Sequence, residues 1–176
     1  MSFEPIGPTP AARAGKIALL VLPFLAGLLC VLLSFVPLSQ ILFIDVAPAF
    51  ALMAVYYWAV HRPDVFPPYA VFAVGLLYDL LSAGPLGLWA LVYLIVYGLV
   101  VSQRTLVVAQ TFTVIWVGFL AAALVNGLLG WVLASFYFGQ LLSVWGILGQ
   151  MLATVALFPL FANLFQKLQD WLLVQG

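Results

Sequence analysis

One histidine, one cysteine and one carboxylate set inside an apolar run are the side chains on which any chemistry of this chain would rest: His61, Cys30 and Asp79. A hydrolase needs a nucleophile beside a base, a pair of carboxylates, or several metal ligands. These three fall at different depths of separate apolar segments, so no such set assembles. Proton or ion relay meets the same objection, because it needs more than one embedded titratable group. A lone cysteine forms no internal disulfide and no cysteine-based metal framework, and Cys30 reads as a small buried apolar residue. The sequence therefore implies no enzyme, no metal and no cofactor.

Asp79 is the sharpest signal. It lies in Gly75-Leu76-Leu77-Tyr78-Asp79-Leu80-Leu81, just before the turn Gly84-Pro85-Leu86-Gly87. A carboxylate in such a helix costs about 2.5–3.5 kcal/mol at the middle of a membrane and less near its edge, so it must face protein or water. No basic residue lies at that depth, which leaves hydrogen-bond donors. The backbone amides of Gly84 to Leu88, opening the next helix, are suited to the task because a helix N-terminus attracts negative charge. Ser82, Asn126 and Gln150 are the other candidates by depth. Asp79 is then either a ligand or partner contact or an internal cap that fixes the turn, and the cap is favoured.

A second polar cluster follows Tyr56, Tyr57 and Trp58, namely His61, Arg62, Pro63 and Asp64. The aromatics read as an interfacial belt with Arg62 as its positive anchor. Pro63 pins the turn, in which Arg62 and Asp64 either meet each other or cap the next helix.

The elements that hold these residues follow from composition. Of 176 residues, 67% are hydrophobic and 6% charged, where a soluble domain carries about 25% charged. With a mean hydropathy of +1.27, the chain reads as a polytopic membrane protein. Its net charge is zero and its five basic residues form no patch, which argues against a nucleic-acid partner. Residues 1–15, with prolines at 5, 8 and 10, read as a disordered cytoplasmic tail, and residues 16–176 as one transmembrane domain. Spans are expected over about 17–35, 49–60, 69–81, 88–101, 106–136 and 142–165, with a short interfacial piece at 41–46. With both termini inside, Arg13, Lys16, Arg62, Arg104 and Lys167 all fall on the cytoplasmic side, as the positive-inside rule asks.

The second and third spans are short, about 20 Å of helix against a hydrocarbon core of about 30 Å. Either they form a recess or their ends extend a turn further. Small residues Ala70, Ala73, Gly75, Ala90 and Gly98 suit a recess of spans two to four that accepts a partner helix. On the fifth span Gly118, Ala122, Asn126, Gly130 and Ala134 recur every four residues, and Gly146, Gly149, Gln150 and Ala153 make a comparable face on the sixth. Such faces let helices approach closely, within the molecule or across a homodimer seam. Beyond Asn163 the pattern turns amphipathic, with Leu164, Phe165, Leu168, Trp171 and Leu172 expected on one face.

Tyr57-Trp58, Arg62-Pro63, Gly75-Leu76-Leu77-x-Asp79-Leu80-Leu81, Pro85-Leu86-Gly87 and Ala90-Leu91 together resemble the rod shape-determining protein MreD family of bacteria, with the look of an alphaproteobacterial member. The resemblance implies an all-α, six-span protein of the inner membrane with both termini inside. It implies a non-enzymatic subunit of the cell-elongation machinery that supports lateral peptidoglycan synthesis. The implied partner is MreC-like, with a single span, and links indirectly to MreB filaments, RodA and its transpeptidase. In outline the family is also similar to substrate-binding subunits of energy-coupling-factor transporters, by fold analogy alone. The alternative is therefore a lipid- or small-molecule-binding transporter subunit. A pocket would place several inward polar side chains at one depth around a ligand-sized void; a scaffold would show grooves lined by small and aromatic residues.

Overall fold

Prolines and glycines cut the apolar chain into its helices. A computed structural model describes residues 10–36, 47–107 and 111–175. Within them the helices are α1 (Pro10–Ser34), α2 (Phe50–His61), α3 (Pro68–Ser82), α4 (Leu88–Ser102), the single turn α5 (Arg104–Val107), α6 (Phe112–Phe138) and α7 (Val144–Gln175), and the described residues contain no strand. Pro68 opens α3 in its first turn, where a missing N–H costs nothing. Ala83, in the left-handed region at φ 50°, ends α3, and Gly87 at φ 91° precedes α4. Helix α1 starts at Pro10, inside the stretch expected to be a tail. The expected interfacial piece at 41–46 lies outside the described residues.

Helices α2, α3 and α4 are indeed short, with 12, 15 and 15 residues. Helices α6 and α7 contain apolar segments long enough to cross a membrane, Phe112–Phe138 and Val144–Asp170, while those of α2, α3 and α4 are shorter, as is the stretch Val21–Ser34 of α1. The shortest of them, α2, is possible because of where it sits. Every residue of α2 from Phe50 to Val60 is buried. Around it pack α1, α4, α7 and, less extensively, α3, α5 and α6. A helix enclosed by protein has no bilayer thickness to match, and a helix apolar on all faces belongs in such a place.

That position overturns the interfacial belt. Tyr56, Tyr57 and Trp58 are core residues, 2%, 3% and 1% exposed. Tyr56 meets Phe119 of α6 and Phe158 of α7 edge-on, and those two rings stack with centroids 3.9 Å apart. Its hydroxyl donates to the Ile115 carbonyl at 2.9 Å, which makes a buried tyrosine tolerable. Tyr57 stacks on His61 and packs against Phe165. The expected amphipathic face at the end of α7 also divides: Phe165 is buried while Leu164 is 58% exposed.

Helices α3 and α4 form the most extensive helix pair. Gly75 makes it possible: a Cβ there would strike Cα of Ala90 and lie 2.8 Å from its amide nitrogen and 3.0 Å from the Trp89 carbonyl oxygen. The two backbones touch at this point. This closes the expected recess, since α2 is buried and Gly75 and Ala90 face each other within the molecule.

Candidate functional site

Gly75 and Asp79 are one helical turn apart, so the face that admits the α4 backbone also carries the carboxylate. Asp79 is 1% exposed. Its Oδ2 accepts from the amides of Gly87 at 2.9 Å and Ala90 at 3.2 Å, and its Oδ1 from the amide of Trp89 at 2.9 Å. Those donors include the opening amides of α4, which have no partner inside their own helix and carry the positive end of its dipole. Gly87 falls within the Gly84 to Leu88 run expected from sequence, and Trp89 and Ala90 lie just beyond it. Ser82 donates to the backbone carbonyl of Asp79 instead, at 3.1 Å, and neither Asn126 nor Gln150 is among its hydrogen-bond partners. Tyr78, next to Asp79 on α3, packs edge-on against Trp89 and Tyr93 of α4, whose own rings meet tilted.

The ends of α2 are held in the same way, from elsewhere in the chain. Thr154 of α7 accepts from the Ala49 amide at 2.9 Å while donating to the Gln150 carbonyl at 2.6 Å. At the other end Arg104 donates to the carbonyls of Val60 at 2.8 Å and His61 at 3.4 Å, a cation at a helix C-terminus. Sequence reasoning gave Arg104 only a place on the cytoplasmic side and missed Thr154. A threonine in an apolar helix carries no signal of a partner 105 residues away.

In the turn after α2, Arg62 and Asp64 meet at 3.2 Å and do not cap α3. Desolvation pushes the Asp64 carboxyl up, but the hydrogen bonds from Arg62 and from its own backbone, with the Arg62 and Arg104 charges, together outweigh it and hold the group below its ordinary range. The pair is exposed, so its contribution to stability is small. Pro63 offers its carbonyl to the Tyr97 hydroxyl of α4 at 3.5 Å.

The small-residue faces separate. On α6, Gly130 is pressed by Trp89 of α4, whose ring carbon would lie 2.9 Å from an added Cβ, and Ala122 and Asn126 are buried. The approach of α6 to α7 uses Gly127 instead, whose Cβ would meet Ile147 at 3.4 Å. Gly146 of α7 takes no part in packing within the molecule: it is exposed, and a Cβ there meets nothing within 4 Å. Gly149 is half-buried on the same helix. Gly118 lines an apolar groove of about 190 Å³ between α4 and α6, with Ala121, Ala122 and Val125 on one wall and Val96 and Val100 on the other. Gln150 lines a second cavity of about 160 Å³, together with Asn126 and Thr154. Among the described residues no group of His, Cys, Asp or Glu is placed to hold a metal.

The arrangement can hold helix ends at membrane depth and offer grooves on helix flanks. The family model described as rod shape-determining protein MreD matches residues 14–168. No curated protein and no solved structure matches the chain, so the outline likeness to transporter subunits gains no support from them.

Proposed function

The chain belongs to the MreD family of rod shape-determining proteins, and from that premise we propose that it is a non-enzymatic, six-span inner-membrane scaffold of the elongation machinery, docking an MreC-like partner in support of peptidoglycan synthesis. One observation carries the scaffold reading: the embedded carboxylate is fully engaged by the α4 amides, with three hydrogen bonds to its two oxygens. Asp79 thereby acts as a fastening of the fold, with each of its oxygens already accepting from backbone amides at the start of α4. Connections are short too, residues 62–67 and 83–87. A stable interface takes about 800 Å² from each partner, more than such turns offer. Helix flanks remain.

The flank that suits a single-span partner is the groove between α4 and α6. Its floor is Tyr56, whose hydroxyl is already satisfied, and its walls are apolar and small, as close helix packing in lipid requires. Leu99, exposed on α4, and Gln103 line the same groove. Photocrosslinkers placed at Leu99 and Ala121 should capture the MreC-like helix, while the same group at Leu152 or Leu160 on α7 should not. Capture from α7 alone would move the interface to the other side of the bundle and defeat this assignment.

A second reading, a subunit that binds a lipid or small molecule, is favoured by one feature, the cavity around Asn126 and Gln150.

A further inference from the structure

That cavity lies between α6 and α7, with the start of α2 and Trp89 of α4 completing its wall. Its volume of about 160 Å³ is close to that of an apolar protein cavity known to hold a benzene molecule, about 150 Å³. Here the wall is not wholly apolar. Asn126 is 6% exposed, and its Oδ1 finds no hydrogen-bond partner among the described residues. A buried amide oxygen left alone costs about 1–3 kcal/mol, so native structures rarely leave one without a purpose.

The other polar groups nearby are accounted for. The Thr154 hydroxyl both accepts and donates within the fold. The Trp131 indole donates to the Leu142 carbonyl at 2.9 Å. Asn126 on the α6 side and the Gln150 amide on the α7 side are what remains to meet a guest. No ionisable residue lines the cavity, and a charged guest would go uncompensated. Trp131, Leu142 and Ile147 in the wall are only half-buried, so the space communicates with the surface.

We propose that the Asn126 cavity is a binding site for an uncharged amphiphile, a compact apolar body bearing one hydroxyl that hydrogen-bonds the side-chain amide of Asn126. In a membrane that chemistry comes from a free small alcohol or from the hydroxyl-bearing end of a neutral lipid. The site is separate from the α4–α6 groove and does not depend on partner docking.

The test uses the full chain purified in detergent, with benzyl alcohol as probe and toluene, its hydroxyl-free counterpart, at matched concentration in the detergent phase. Benzyl alcohol should raise the unfolding temperature saturably and bind about tenfold more tightly than toluene, the worth of one hydrogen bond. Asn126→Leu should remove that preference. If that variant does not fold, Ala134→Leu decides, since it fills the cavity from a different wall position, leaves Asn126 in place and should abolish saturable binding of both probes. Mass spectrometry of an organic extract of the protein taken directly from membranes distinguishes the sources. A stoichiometric hydroxylated neutral lipid that benzyl alcohol displaces identifies the lipid; its absence, with the probe preference intact, identifies a free alcohol. Toluene binding as tightly as benzyl alcohol, no saturable binding at all, or binding unchanged in the cavity variants would overturn the proposal.

Discussion

Replacing Asp79 by Leu and by Asn separates its role as an acceptor from its role as a charge. In the native protein three α4 amides share its two oxygens, at 2.9, 2.9 and 3.2 Å. Leucine accepts from none of them. Ala90 is buried and Gly87 and Trp89 are half-buried, so about two of the three N–H groups would be left inside the helix pair without acceptors. At about 1–3 kcal/mol for each stranded donor, Asp79→Leu should cost about 2–6 kcal/mol. Asparagine retains one carbonyl oxygen, which can take the two bonds that Oδ2 holds now. Its NH2 would then face the Trp89 amide, donor against donor, so one bond is lost, at about 1–3 kcal/mol. Chemical unfolding of the purified variants in detergent, followed by helical circular dichroism, measures both. The expected order is wild type, Asn, Leu. Equal destabilisation by Asn and Leu would show that the negative charge, and not hydrogen-bond acceptance, holds the turn, and would refute the reasoning.

Gly75→Ala should destabilise by about 3 kcal/mol, because its Cβ meets α4 backbone that cannot swing away; unfolding in detergent reads it, and a neutral result would mean that α3 and α4 are less closely apposed than described. Ala83→Gly should stabilise by about 1 kcal/mol, since Ala83 alone among the non-glycine residues with described backbone has a positive φ; a destabilised variant would argue against that conformation. Single cysteines at Ser39 and Gln140 should label from the periplasm and one at Ser102 from the cytoplasm. Labelling of Ser102 from outside would invert the six-span arrangement.

Much of the architecture was legible because it follows from local rules. Mean hydropathy and the scarcity of charge set the solvent as lipid, and proline and glycine set the ends of α2, α3 and α4 to within one residue of expectation. Asp79 stood out for the same local reason: a carboxylate in an apolar helix needs donors, and the nearest unpaired amides lie just across a five-residue turn, residues 83–87. Partners far apart in sequence were not legible. Nothing in Thr154 or Arg104 announces that they close the two ends of α2, because a helix end states that it needs a partner and not where the partner is. Nor does a four-residue repeat of small residues name its neighbour, so Gly130 met α4 and Gly146 met nothing. In lipid every outward face is apolar, so the contrast between buried and exposed faces that guides the reading of a soluble helix is absent. Composition determined that Tyr56, Tyr57 and Trp58 lie in or against a membrane; only the packing of the surrounding helices decided that they form its protein core.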